Sequence, residues 1–440
     1  MTSSFSRRSF LGLSAAGAMF GISSCAGFSG GGGGNSDGDR SGGSASLDVS
    51  WWGDASRAAL YDEALDLFGE THSDVTITSQ FADLDPYLER LATTAAAGSL
   101  PDVLWMRDTH IGRYAAAGSL LDLSPYLDEV IGTSALGDAG VASGTVGDGV
   151  FALPTHYVGQ AILTNDDLLA AKGIDPNGLV TWTDLADAAT ASADGAAGIW
   201  GLQDATLDTT HRHLEAFIRQ SGGELFTEGG GLGADPALLE EWFEYWKSLR
   251  DAGVVPPADT TTEANATGWS GDLLTVGKST IRLASTNHFK IVQDLTDAKI
   301  GLHSVPAAAG STNDWWFFPP ILLSVAAETG SPDAAAALMD FFINDTDAAA
   351  ITRLNQGAPS SAAVRESLIP LLNEEETAFV DQISIEMEYP SRPFPIRPEG
   401  AEQFNSALTR TGEEIAYNQR SVSEAVATLV SEAHGYLPEA

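Results

Sequence analysis

Three short runs rich in β-branched and aromatic residues, LDVSWW at 47–52, VTITS at 75–79 and DVLWM at 102–106, alternate with two helical patterns. In the first pattern Tyr61, Ala64, Leu65 and Phe68 fall at i, i+3, i+4 and i+7 and stop near Gly69; in the second Leu88, Leu91, Ala92 and Ala95 follow an Asp85-Pro86 start and stop at Gly98. A 2-residue period means strand and a 3.6-residue period means helix. The order β-α-β-α-β predicts a parallel sheet with right-handed crossovers, and such sheets bind ligands beyond the carboxyl ends of their strands. Those ends carry Trp52-Gly53-Asp54, Gln80 with Asp83, and Arg107-Asp108. Neighbouring strand residues face opposite sides, so Trp51 is assigned to the core and Trp52 to the open face. Asp54 and Asp108 also stand where helix N-caps belong.

Residues 47–440 exceed one ordinary domain of ~100–200 residues, so two lobes are expected. A second βα-rich region includes Val150 to Pro154, Ala161 to Thr164 and a helix opened by Thr183 or Asp184. Between Asp235-Pro236 and Gly253, residues Leu238, Leu239, Trp242, Phe243, Trp246 and Leu249 make a broad helical stripe, which reads as core rather than as a sugar-stacking platform.

The formal net charge is −38, and removing residues 1–24, which hold two arginines and no acid, takes it to −40. Such a surface repels nucleic acid and anionic lipid head groups. At the amino end, Arg7-Arg8 precede an apolar run from Leu11 to Ile22. As a helix that run rises only ~18 Å, too short for a ~30 Å hydrocarbon core, so it reads as a signal peptide. Ser6 to Leu11 resembles a twin-arginine export motif, with Gly12 where lysine is common, and Ile22-Ser-Ser-Cys25 resembles a lipobox. Cys25 is the only cysteine, which rules out an intramolecular disulfide. Residues 25–46 then read as a lipidated cysteine on a flexible Gly/Ser tether.

Several motifs fail on spacing. Gly277-Lys278-Ser279-Thr280 would need a glycine at 272, where Asp272 stands, to cradle a phosphate. Gly27 to Gly31 matches a nucleophile elbow but lies in the tether. His211 and His213 have no third ligand at a metal spacing and read as a solvated loop pair. A chain with 60 acids supplies carboxylate pairs by abundance alone, so a glycosidase pair carries no weight here. No metal and no cofactor is assigned.

Val49 to Gly53, Ala96-Ala-Gly98 with Pro101-Asp-Val103, Tyr114 to Leu120, Phe151 to Pro154, Leu163-Thr-Asn165, Trp182 to Leu185, Val276-Gly-Lys278 with Asn287-His288, Ser331 to Ala335 and Gly357 to Ser361 occur in an order that spans nearly the whole chain after the tether. Together they resemble the extracellular solute-binding proteins of ABC importers, in particular the carbohydrate-binding family. The resemblance implies an α/β, two-lobe periplasmic-binding-protein-like type II fold, with lobes at 47–154 plus 320–354 and 155–319 plus 355–440. Crossing hinge segments would follow Pro154 and lie near 318–321 and 355–359. It implies a monomeric lipoprotein without catalysis, held by its lipid on the extracytoplasmic face of a Gram-positive cell membrane, which delivers a carbohydrate to a permease. A polyol or peptide carrier and an anchored glycoside hydrolase are the rival readings. A sugar needs aromatic faces and hydroxyl partners, so the candidate ligand residues are Trp52, Asp54, Asp83, Arg107, Asp108, His156, Tyr157, Trp269, Asn287, His288, Trp315 and Trp316, with Phe394 a weaker aromatic.

Overall fold

The computed structural model describes residues 44–207, 211–307, 317–388, 392 and 397–438. The signal, Cys25, most of the tether, Trp315, Trp316 and Phe394 lie outside the described residues.

The opening pattern folds as read: β1 (Ala45–Trp52), α1 (Ala55–Thr71), β2 (Val75–Ala82), α2 (Leu84–Ala96), β3 (Val103–Met106) and α3 (Asp108–Ala116). β1 pairs in parallel with β2 and with β3. One boundary differs. α2 begins at Leu84 with Asp83 at the N-cap position, so Asp85 lies inside the first turn, where its charge meets the positive end of the helix. Trp51 is buried and Trp52 half-buried, as the pleat requires. The Trp51 ring packs 5.2 Å from Tyr61 and 5.9 Å from Trp105, in the core between the sheet and α1.

α4 (Gly137–Ala142) and a small hairpin, β4 (Thr145–Val146) and β5 (Gly149–Val150), lead into β6 (Leu153–Asn165), thirteen residues buried at every position. Then come α5 (Asp166–Ala171), α6 (Trp182–Ser192), α7 (Arg212–Gln220), α8 (Pro236–Asp251) and α9 (Ala258–Ala266). α6 is capped by Thr181 in a reciprocal bond pair with Asp184, two or three residues earlier than the start expected from sequence. β7 (Ile281–Ser285), α10 (His288–Asp294), β8 (Ile300–Ser304), β9 (Phe317–Val325), α11 (Pro332–Asn344), α12 (Thr346–Thr352) and β10 (Ala358–Pro359) follow. The chain closes with α13 (Ala362–Leu368), α14 (Glu374–Glu388), α15 (Ala401–Ala416) and α16 (Val422–Tyr436).

The main sheet runs β10-β6-β9-β3-β1-β2, with β7 and β8 also paired to β6. The first half of β6 lies between β9 and β10, with register shifts between Pro154 and Val158, and its second half lies between β7 and β8. The three segments expected to cross are thus hydrogen-bonded neighbours. One hydrophobic core gathers residues from 47–153 and 321–348; another gathers residues from 158–437, with Trp182, Trp242 and Trp246 at its centre. The stripe on α8 is therefore core.

At the middle of β6, Gly159 admits a buried carboxylate. A β-carbon there would stand 2.0 Å from Glu386 Oε2, so only glycine lets α14 approach. Glu386 Oε1 accepts a 3.0 Å bond from Gln382, while Oε2 has no partner among the described residues. Burial pushes this carboxyl up to about 8, against a smaller opposing effect of the Gln382 bond. The folded protein then holds a proton that the unfolded chain, near 4.5, has lost. Stability must fall as pH rises through that window. Glu386→Gln keeps the shape and cannot ionise, so urea unfolding of that variant should show a flatter decline between pH 4.5 and 8 than the parent.

Candidate functional site

At the carboxyl end of β1, Gly53 takes a φ of +151°, and a β-carbon there would meet the Arg57 side chain at 2.6 Å. The glycine lets Arg57 fold back over the strand end. Its guanidinium donates to the Trp52 carbonyl (3.0 Å) and to the side-chain and backbone oxygens of Asn355 (2.5 and 3.3 Å). Asp54 is exposed, and its carboxylate accepts from the Arg57 amide at 2.9 Å as the N-cap of α1. The half-buried Trp52 ring packs 5.8 Å from Tyr87. Asp83 is exposed at the end of edge strand β2 and makes no capping bond.

At the end of β3, Arg107 occupies the N-cap position of α3 and Asp108 its first residue. Asp108 is 2% exposed and accepts a 2.7 Å bond from Arg212, the first residue of α7. It is therefore an ion-pair partner and not a cap. Burial would raise this carboxyl, but Arg212, Arg397 and Arg107 together outweigh burial and hold it below the usual carboxylate range. Arg212 also lies 3.6 Å from Glu215, which pairs with Arg397. Because α3 packs in a cluster with β3 and β9 while α7 belongs to the second core, this buried network marks a seam between them.

Beside β7, the half-buried Trp269 ring lies 4.3 Å from His288 and beneath the Arg282 guanidinium, also at 4.3 Å. Arg282 pairs with Asp272, which accepts a 3.0 Å bond from Gln203. Trp269, Arg282, Asp272 and Gln203 line a cavity of about 320 Å³ with Asp204 and Asn265. Next to His288, the Asn287 Oδ1 is buried without a partner among the described residues. His288 Nδ1 accepts from the Ser285 amide at 3.2 Å, which leaves Nε2 as the donor.

Two further candidates are closed off in this conformation. His156 is buried beside Thr155 (3.0 Å) and driven down to about 3, by burial first and then by Arg57, so it is neutral. Tyr157, 1% exposed, packs among Ala358, Phe379, Val380 and Ile383. His211 and His213 are a correction: both are buried, His211 against Thr409 (2.9 Å) and Asn405, His213 against the Ala161 carbonyl (3.3 Å). No cluster of three metal-ligating side chains occurs among the described residues.

Sequence reasoning missed Arg57, Arg212, Glu215, Arg397, Gln203, Asp272 and Arg282. For α7 a signal existed. Arg212, Glu215 and Arg219 recur at i, i+3 and i+7 among Leu214, Phe217 and Ile218, a charged stripe that the fold buries entirely.

A family model described as bacterial extracellular solute-binding protein matches residues 63–372, more than half of the chain. The fold resembles an extracellular solute-binding protein family 1 from Alicyclobacillus acidocaldarius, with TM-score 0.76 and 24% identity over 89% of this chain and 98% of that one. A periplasmic oligogalacturonide binding protein from Yersinia enterocolitica gives 0.75 and 20% over 88% and 97%. The GacH receptor of Streptomyces glaucescens, solved unliganded and with acarbose, gives 0.69 and 19% over 89% and 98%.

Removing one partner of a buried ion pair strands the other, at a cost of about 3–5 kcal/mol. Asp108→Asn should lose that much in urea unfolding, and Asp108→Leu combined with Arg212→Met should recover most of it.

Proposed function

The chain belongs to the bacterial extracellular solute-binding protein family, and on that premise we propose that it captures a sugar or oligosaccharide in a cleft along the seam and delivers it to the permease of an ABC importer. The observation that carries the reading is the Trp269 cavity. Its lining joins the Trp269 indole, with Arg282 stacked on it, to Gln203, Asp204, Asn265 and Asp272, an apolar wall beside a fixed set of hydroxyl partners, which is what a sugar ring with apolar faces and polar edges requires. Trp52 and Arg107 would close on the ligand from the other side. Asp83, at the sheet margin, is a peripheral contact in this scheme, and Trp315 and Trp316 belong to the set on sequence alone. Asp54, Asp108, His156 and Tyr157 act as supports: a cap, an ion-pair partner and two buried side chains.

The lobes in this reading are 47–154 plus 320–354 and 155–319 plus 355–440, a division supported by the two main hydrophobic cores. Closure turns on the segments around β6, β9 and β10. The protein is exported by its twin-arginine signal, lipidated at Cys25 and kept as a monomer on the outer face of a Gram-positive cell membrane, with residues 25–46 as its tether. It performs no catalysis. Neighbours that bind oligogalacturonide and acarbose favour saccharide over polyol or peptide.

A ligand at 100 times its Kd stabilises by ~2.7 kcal/mol. In a thermal-shift panel of saccharides, polyols and peptides, saccharides alone should raise the melting temperature, and Trp269→Ala should abolish that rise. A shift with another solute and none with sugars would refute the sugar assignment, and turnover of a labelled glycan would refute the absence of catalysis. Separately, Cys25→Ser should move the protein from the membrane fraction to the medium on fractionation.

A further inference from the structure

We propose that Arg57 and Arg107, side by side at the carboxyl ends of β1 and β3, form a carboxylate-binding subsite, so that the captured saccharide is an acidic one bearing uronate groups. The inference rests on the saccharide reading and narrows it.

The chain has 22 lysines and arginines against 60 acids, so every arginine has carboxylates to choose from. Along the seam the others have chosen: Arg212 with Asp108 and Glu215, Arg397 with Glu215, Arg282 with Asp272. Among the described residues neither Arg57 nor Arg107 has an ion-pair partner. Arg57 spends its donors on neutral oxygens, those of Trp52 and Asn355, and its charge stays uncompensated. The Arg107 guanidinium makes no hydrogen bond to any described residue and is half-buried, while its backbone carbonyl accepts from the His110 amide. A buried or half-buried guanidinium ordinarily finds an anion, because taking it out of water without one is costly.

The two are neighbours by construction. Ser50 pairs with Leu104 in the parallel ladder, so Gly53, three residues on, is level with Arg107 on a strand ~4.8 Å away. Arg57 folds over Gly53. Two histidines lie within the field of these guanidinium groups. His110 is lowered to about 4, by burial first and then by Arg113 and Arg107, and His156 is lowered by burial and then by Arg57. The acids of these strand ends are committed elsewhere or removed: Asp108, although it feels Arg107, is bound to Arg212, Asp54 caps α1, and Asp83 lies at the end of the edge strand. Planar guanidinium forks match a carboxylate with paired N–H donors, and neutral hydroxyls gain much less from them. The −38 of the whole chain does not oppose this at short range, since repulsion across more than ~8 Å is screened at physiological salt.

The test is calorimetric titration of the purified protein with galacturonate, glucuronate and mannuronate trimers, each beside its neutral counterpart, at low and high salt. At least one uronate trimer should bind about tenfold or more tighter than its neutral partner, and that advantage should shrink as salt rises. In Arg107→Gln the ratio of the two affinities should fall to about one, whereas Arg107→Lys should retain part of it. Because the readout is a ratio on one protein, a general loss of fold cannot mimic it. Equal binding of acidic and neutral trimers by the parent, or an undiminished ratio in Arg107→Gln, overturns the subsite and leaves the saccharide reading standing. Binding of neither kind overturns both.

Discussion

A strand that is buried along thirteen consecutive residues must have its backbone satisfied by other strands, because water cannot reach it. β6 sets this constraint for the whole molecule. Its first half requires β9 and β10, its second half β7 and β8, and the four partners come from residues 281–359. Two cores are thereby hung on one continuous ladder, and the positions where the ladder shifts register, between Pro154 and Val158, are where it deforms most easily. Gly159 follows directly, bare so that the Glu386 carboxyl can lie on the backbone.

The charges are distributed unevenly over this frame. Acids outnumber bases nearly threefold, yet the seam between the cores is organised by arginines. Arg212 joins Asp108 to Glu215, Arg397 holds Glu215, and Arg282 stacks on Trp269 while holding Asp272. A planar ion that both stacks and forks can anchor a carboxylate and still present a flat face, which a lysine cannot do. The outer surface keeps the protein apart from other anions, and the seam uses the few cations where geometry matters.

How much of this was legible in the sequence depends on the range of the physics. β1 to β3 and their helices could be read because periodicity, caps and the pleat are local; the choice of Trp51 for the core needed only its neighbour. The strand ends Trp52 and Arg107-Asp108 followed from a rule about parallel sheets. The partner of Asp108 did not, because Arg212 is 104 residues away and nothing local links them. His211 and His213 were misread for the same reason: their acceptors, at Thr409, Asn405 and Ala161, are distant carbonyls and hydroxyls that turn a polar stretch into a buried one. Tyr157 is similar, since the packing of α14 and β10 against β6 hides it. Helix starts were missed by two or three residues, because a cap depends on which of several polar side chains reaches back.

The pairing of β3 with β9 also has a meaning in time. Met106 lies beside Leu322, so during synthesis at ~5–20 residues per second the exposed edge of β3 waits on the order of 10–40 s for its neighbour to be made. Throughout that interval Val103, Leu104 and Trp105, all buried in the finished sheet, belong to an open edge that any other extended chain could join. That edge stays without its neighbour until the second half of the polypeptide arrives.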